Sequence, residues 1–310
     1  MIRDLKKCNI CESDDFTILH YYEKHYYDSK KFIKHSWDGD LDLDLSIVKC
    51  KKCELVFQNP CINEKALKFF YPEEIIPEKI NLNKELNNHK FNYLLNEIIF
   101  KIYSKNGKNI SVLDVGARYG ILSTLLNKNG FNAFSLEYNK KCVKTAISSG
   151  VKKIDTGTIE NISLLAQKYL INNFNIVVLN DVIEHLINPK KDLLIISKFQ
   201  SSGDRIIITT PNFDSLGYKI FKKYWYYIHG QHTFYFTTKT IALMAKKINY
   251  ELEFTHSISF YKNLKIIFSN FLKFITHIFE LNFLDFKNKK WFARNRPYLY
   301  DTITLVLKKK

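Results

Sequence analysis

The stretch Val112-Leu113-Asp114-Val115-Gly116-Ala117-Arg118-Tyr119-Gly120 decides the fold. An apolar strand runs to Asp114, turns through glycines and enters a helix from Ile121 to Lys128. Glycine lets the backbone come close to a ligand, and the helix start offers N–H groups without intrahelical partners. A second apolar run, Phe131 to Glu137, closes on an acid able to accept hydrogen bonds from ribose hydroxyls. Together these segments form a nucleotide-binding corner. Two acids near the ligand, Asp114 and Glu137, disfavour a pyrophosphate dinucleotide and suit a cationic adenosyl ligand. A glycine turn alone also serves as a plain strand-to-helix connection.

Outward from this corner, short apolar strands alternate with helices. Strands are expected at Val112–Asp114, Ala133–Glu137, Lys153–Asp155, Ile176–Leu179 and Arg205–Thr209, and helices at Ile121–Lys128, Lys140–Ser149, Ile162–Leu170 and Asp192–Phe199. The pattern predicts an α/β fold, a doubly wound Rossmann-like sheet of mostly parallel strands. Ligands of such sheets sit at the carboxyl ends of the strands, where the motifs fall. A helical face through Tyr93, Leu94, Leu95, Ile98, Ile99 and Ile102 precedes the sheet, after Phe69, Phe70 and Tyr71 and a loop around Pro72 and Pro77. Residues 300–307 read as a final strand.

The 310 residues suffice for a large domain with a buried core plus a small one. Hydrophobic residues at 46% and aromatics at 15% exclude a disordered chain. Against 31 acidic residues stand 47 Lys+Arg, a formal charge of +16. That sign suits nucleic acid, a nucleotide-linked sugar, an acidic glycan or an anionic membrane surface. The lysines form no single block, and Lys, Asn and Ile are abundant throughout, so a general compositional bias accounts for the charge equally well. The N-terminus MIRDLKKCNICESDD has no apolar signal core, and no stretch reaches membrane-spanning length without charges. The expected location is cytoplasmic.

Cys8-Asn-Ile-Cys11 and Cys50-Lys-Lys-Cys53 are two C-x-x-C pairs. Each presents two thiolates from a tight turn, and two such turns complete a tetrahedral site. The run from Phe16 to Val48 reads as strands that bring the turns together. Four protein sulfurs leave no open position, so the zinc expected here is structural. Reduced thiols in turns, or a redox pair, are the competing readings. Cys61 and Cys142 read as small apolar residues, and His20, His25 and His35 are not needed as ligands. No second carboxylate–histidine cluster is legible, so no catalytic metal is expected.

Several of these stretches resemble a known family. Val112–Gly120 looks like the D-x-G-x-G-x-G corner of class I S-adenosylmethionine methyltransferases, with Arg118 at the middle glycine, and Ser135-Leu136-Glu137-Tyr138-Asn139 resembles their ribose-binding acid. At that position the Arg118 side chain has to point away from the cofactor. Cys50-Lys-Lys-Cys53-Glu-Leu-Val-Phe-Gln-Asn-Pro60 resembles the zinc ribbon before the catalytic domain of a group of bacterial sugar methyltransferases, where glycine usually stands in place of Glu54. Asn180-Asp181-Val182-Ile183-Glu184-His185-Leu186, followed by Asn188-Pro189, resembles the D-V-[IL]-E-H-[LV]…P stretch of ubiquinone-type and sugar O-methyltransferases. His232-Thr-Phe-Tyr-Phe-Thr resembles the H-x-x-x-F-[ST] element of the zinc-bearing group.

The resemblance implies an S-adenosylmethionine-dependent enzyme. Asp114, Gly116, Gly120 and Glu137 would hold the cofactor, with Thr158 and Ile159 along its adenine and Asn180 and Asp181 lining the methyl-transfer site. His232 would be the general base, with His185 in reserve. Each assignment has a plainer rival: an ordinary loop for Thr158–Ile159, a helix-start pair for Glu184–His185, and a structural histidine bonding a loop carbonyl for His232. Trp225 and Tyr226, in the basic aromatic loop from Tyr218 to His229, are read either as stacking surfaces or as core. The acceptor implied is a hydroxyl of a sugar or nucleotide sugar.

The rivals to this function are an RNA methyltransferase, a sugar C-methyltransferase and a non-catalytic binding protein that kept the fold. The absence of an N/D-P-P-Y/F/W element argues against methylating base amines, so nucleic acid is disfavoured as a partner but stays open. Gln231-His232, in place of Glu-His, argues against carbanion chemistry. The expected organisation is a zinc ribbon over 1–62, cofactor-covering helices over 63–108 with a linker at 104–109, the class I core over 109–255, and a helical insertion with a final strand over 256–310. Leu264 to Leu284 reads as an apolar-faced helix docking on the core, on a partner subunit or peripherally at the inner face of the membrane.

Overall fold

The computed structural model describes residues 2–22, 45–63, 76–87, 89–103, 107–225, 227, 228, 230–257 and 301–310. His25, His35, the 69–72 aromatic-proline segment, part of the 104–109 linker, Tyr226, His229 and the 264–284 helix lie outside the described residues. The strands are β1 (Ile2–Arg3), β2 (Phe16–Tyr22), β3 (Leu45–Cys50), β4 (Val56–Asn59), β5 (Cys61–Ile62), β6 (Ser111–Val115), β7 (Asn132–Glu137), β8 (Ile154–Thr156), β9 (Ile176–Asn180), β10 (Arg205–Pro211), β11 (Phe234–Tyr235), β12 (Tyr250–Ser257) and β13 (Thr302–Lys309). The helices are α1 (Leu82–Leu86), α2 (His89–Tyr93), α3 (Phe100–Ile102), α4 (Ile121–Lys128), α5 (Lys140–Ser148), α6 (Ile162–Tyr169), α7 (Pro189–Ser197), α8 (Leu216–Phe221) and α9 (Thr238–Lys247), with a π-helical turn at Leu94–Ile99.

Seven strands build the main sheet in the order β12-β13-β10-β9-β6-β7-β8. From β10 to β8 all neighbours are parallel, while β13 runs antiparallel to both β10 and β12. This is the expected mostly parallel α/β sheet. Its strands alternate between two cores, as the two-residue period of a strand requires. Val112, Ile176, Val178, Ile207 and Val306 face the helix that contains Leu94, Leu95, Ile98 and Ile99, and α4. Leu113, Val177, Leu179, Ile206, Ile208, Leu305 and Leu307 face the other layer, with Leu165, Leu193 and Ile241.

Helix starts are fixed locally. Asn139 accepts from the N–H groups of Lys141 and Cys142 at α5, Asn188 caps α7 ahead of Pro189, and Thr237 forms a capping box at α9. The α7 helix starts three residues earlier than the hydrophobic period suggests, because Asn188-Pro189 is itself the start signal.

The chain passes from β6 to β7 and β8 on one side of the sheet, then returns to β9 and β10 on the other. A reversal of this kind opens a crevice at the carboxyl ends of β6 and β9. A second sheet has the order β11-β4-β3-β2. Three of its strands belong to the N-terminal cysteine segment, but β11 comes from residues far downstream, pairing Phe234 with Phe57 and Tyr235 with Val56. Cys8, Cys50, Leu55, Phe57, Phe234 and Phe236 also share one core with the main sheet. The cysteine-bearing segment is therefore built into the larger fold rather than tethered to it. No helix among the described residues is long and apolar enough to cross a membrane.

Candidate functional site

At the end of β6 the chain turns through Gly116 and Gly120, both left-handed at φ +68° and +64°. A Cβ on Gly116 would lie 2.6 Å from Val182 Cγ2, so only glycine lets the loops after β6 and β9 meet at this distance. Arg118 also takes positive φ, at 51°. Its backbone N–H donates to Glu137 Oε2 at 2.7 Å, and Asn139 N–H donates to Oε1 at 2.7 Å. The Arg118 side chain is exposed, its guanidinium carbon 5.3 Å from the centroid of the Tyr119 ring. The substitution of the middle glycine thus preserves the turn.

Asp114 and Glu137 are both buried. Burial, and then the neighbouring Glu137 charge, push the Asp114 carboxyl up to about 8. An acid raised in the folded state contributes stability at low pH and loses it as pH climbs through that value. The ligand-free protein is therefore expected to lose thermal stability between about pH 4 and about pH 8, and Asp114→Asn to flatten that decline. Parallel melting curves for the two proteins across that range would remove Asp114 as the cause.

Thr158 is exposed and caps a short turn at Ile159–Asn161, whereas the Ile159 side chain is buried in the main core. Ile159 offers a ligand its backbone only. At the end of β9, Asn180 Oδ1 is buried without a hydrogen-bond partner. Asp181 follows at φ +56°, half-exposed, and pairs with Lys90 from α2. Lys90 carries no sequence signal, and only the fold brings α2 over the crevice.

Glu184, His185 and His232 converge. One carboxylate oxygen and one ring nitrogen from each histidine all lie within 4.8 Å of one another. The two rings pack edge to face with centroids 4.6 Å apart. His185 Nδ1 lies 3.0 Å from the Gln231 carbonyl and His232 Nδ1 lies 2.8 Å from the Tyr227 carbonyl. A carbonyl only accepts, so each Nδ1 carries a proton, and in the neutral form of either ring the lone pair is on Nε2. Burial holds His185 below its ordinary pKa. Glu184 accepts from Thr210 Oγ1 at 3.1 Å, and burial, followed by the Asp181 charge, pushes its carboxyl up to about 8. The expectation that no second carboxylate–histidine cluster exists is corrected: His232 stands far along the chain from His185, and only the return of the β11 segment beside the Ile183–His185 turn joins them, with Thr233 N–H donating to Glu184 O at 2.9 Å. Trp225 is buried in an aromatic cluster with Phe213 and Tyr235, and His20 bonds the Tyr218 hydroxyl.

The four N-terminal thiols also converge, with Sγ atoms within 4.8 Å of one another. Cys8 and Cys53 are 3.4 Å apart and Cys11 and Cys50 3.5 Å. Tetrahedral zinc with Zn–S of about 2.3 Å places its sulfurs about 3.8 Å apart, so the cluster is compatible with that ion. The two turns match in detail. Glu12 N–H donates to Cys8 O and Glu54 N–H to Cys50 O, both at 2.9 Å, and both glutamates have positive φ. Glu54 occupies the left-handed position that favours glycine, and it pairs there with Lys49 and with Lys239 of α9. Cys61 and Cys142 are buried, away from this quartet.

A family model described as "Methyltransferase domain" matches residues 87–253, more than half of the 310. No curated protein matches the chain in sequence. Solved structures that resemble it include magnesium protoporphyrin IX methyltransferase from Synechocystis PCC 6803 with bound SAH, at 14% identity and TM-score 0.47, covering 80% of this chain and 96% of that one. A SAM-dependent methyltransferase from Archaeoglobus fulgidus has 20% identity and TM-score 0.45, covering 72% of this chain and 100% of that one. Another, from Mesorhizobium loti, has 11% identity and TM-score 0.45, covering 69% and 96%. The family match alone carries the assignment: this chain belongs to the methyltransferase-domain family and is an enzyme of that class.

Proposed function

We propose that the protein transfers the methyl group of S-adenosylmethionine to a hydroxyl of a sugar or nucleotide sugar, and that its N-terminal cysteines hold a structural zinc. The observation that supports the reading is a glycine corner after β6 beside the loop after β9, with two imidazoles further on whose Nδ1–H groups are held by main-chain carbonyls.

The residues fit an adenosyl cation. Two buried acids, Asp114 and Glu137, favour positive charge, and the orphaned Asn180 Oδ1 awaits a donor. When bound, the sulfonium supplies an already activated methyl. The chain's own work is then to hold the acceptor oxygen in line and to take its proton. His232 is the proposed proton acceptor, oriented by the Tyr227 carbonyl, with His185 in reserve. Gly116, Gly120 and Asp181 shape the cofactor crevice, and Thr158 and Ile159 border it. Among the four cysteines, burial pushes the Cys8 thiol up to about 11 and the Cys53 thiol upward, so a bound cation would favour the ionised form of these two.

Calorimetric titration of zinc-loaded protein with S-adenosylhomocysteine tests the cofactor. We expect micromolar binding, weakened by roughly 10- to 100-fold in Glu137→Ala, which removes charge-assisted hydrogen bonds. No binding by the wild type would sink the reading in favour of a non-catalytic fold. A screen of nucleotide sugars follows. Salt-sensitive RNA binding with methylation of RNA alone would favour the nucleic-acid alternative, to which the +16 charge points.

A further inference from the structure

The Glu184–His185–His232 cluster has the makings of more than a pair of bases. Its donor set is two imidazoles and one carboxylate, with the donor atoms within 4.8 Å of one another. Divalent ions of the first transition row take this set, and three protein ligands leave a position for an oxygen of another molecule. The surroundings match what such ions need. Metal-bound histidines give their second ring N–H to a carbonyl or carboxylate, and ligating carboxylates are themselves hydrogen-bonded. Here both Nδ1–H groups are tied to main-chain carbonyls, of Gln231 and Tyr227, and the Thr210 hydroxyl donates to Glu184. Glu184 is 1% exposed and His232 5%. A buried carboxylate is costly in its charged form, and a bound cation would add to the Lys90 charge that already acts on Glu184. The cluster also lies just past the end of β9.

We propose that Glu184, His185 and His232 bind a divalent transition-metal ion, separate from the four-cysteine site. If the hydroxyl-directed reading holds, this ion lies beside the acceptor oxygen and eases loss of its proton to water. Metal ligation and free-base action are exclusive for His232, since both use the Nε2 lone pair. The cation, not the imidazole alone, then assists deprotonation.

The test is a titration of the full-length, zinc-loaded chain with Co²⁺, followed by visible absorption and a count of bound metal. We expect one Co²⁺ per chain with ligand-field bands and no thiolate charge-transfer band, which separates this site from the cysteines. His232→Ala and Glu184→Gln are each expected to weaken Co²⁺ binding by more than about 100-fold, and Thr210→Val, which spares every ligand, by about 10-fold. Thermal melting and S-adenosylhomocysteine binding identify any variant that misfolds, and Thr210→Val then carries the test. Absence of ligand-field bands in the wild type, bands carrying thiolate charge transfer, or bands unaffected in every folded variant would overturn the proposal. Co²⁺ binding requires neither methyl donor nor acceptor. Its failure leaves the methyl-transfer reading standing, and failure of every hydroxyl acceptor leaves the cation site standing.

Discussion

His232→Ala will lower methyl-transfer turnover by at least about 100-fold, the lower bound for losing a group that assists removal of the acceptor's proton, whether as base or as ligand of the proposed cation, while S-adenosylhomocysteine binds within a few-fold of wild type. The split follows from position. His232 lies immediately before β11 and touches the β9 loop through His185, whereas Asp114, Gly116, Gly120 and Glu137 belong to β6, β7 and the turn after β6. The side chain is buried, and its lost hydrogen bond to the Tyr227 carbonyl will cost about 1 kcal/mol of stability, too little to unfold a domain of this size. The measurement is single-turnover methyl transfer beside calorimetry on the same preparation. Unchanged turnover would remove His232 from the mechanism, both as a base and as a ligand. A parallel loss of cofactor affinity would mean that the substitution disturbs the whole crevice.

Removing the zinc proposed for the four-cysteine site, by chelation or by Cys50→Ser, will abolish turnover although none of the four cysteines belongs to the proposed catalytic cluster. Structural zinc contributes on the order of 10 kcal/mol to small metal-nucleated folds, comparable with the net stability of a whole domain. In this protein the strand after the second cysteine pair bonds the backbone beside both halves of the proposed catalytic cluster. Gln58 N–H donates to Thr233 O at 2.8 Å, and Thr233 N–H donates to Glu184 O at 2.9 Å. The backbones beside His232 and His185 thus hang from β4. The first knuckle adds a second anchor, with the Asn9 side chain bonding Asn188 at 2.8 Å and accepting from Lys190 N–H at 3.1 Å, at the start of α7. We expect turnover to vanish at chelator concentrations where S-adenosylhomocysteine still binds, because the cofactor corner rests on the main sheet. Full turnover in protein shown to be metal-free would refute this coupling. Simultaneous loss of both functions would show that the shared core unfolds as one unit.

The β6–α4 corner was legible because its signals are local. An apolar run, an acid and two glycines at fixed spacing specify a strand, a left-handed turn and a helix, and the structure gives α4 the expected bounds of Ile121–Lys128. The cysteine turns were legible for the same reason, since C-x-x-C is a property of four consecutive residues. Glu54 shows where such reading reaches its limit. Its backbone takes the left-handed turn that glycine would have signalled, and its partners on Lys49 and Lys239 come from a neighbouring strand and a distant helix.

The sequence by itself determined the alternation of strand and helix, the placing of ligand-binding turns at strand ends and the chemistry available there, because hydrophobic period, turn residues and donor atoms are written along the chain. Tertiary structure alone decided that Phe234–Tyr235 completes the ribbon's sheet, that Lys90 reaches Asp181, and that Glu184, His185 and His232 form one cluster. Those pairings join residues far apart in sequence. They depend on strand register and on shared burial, which are settled only when the whole core packs.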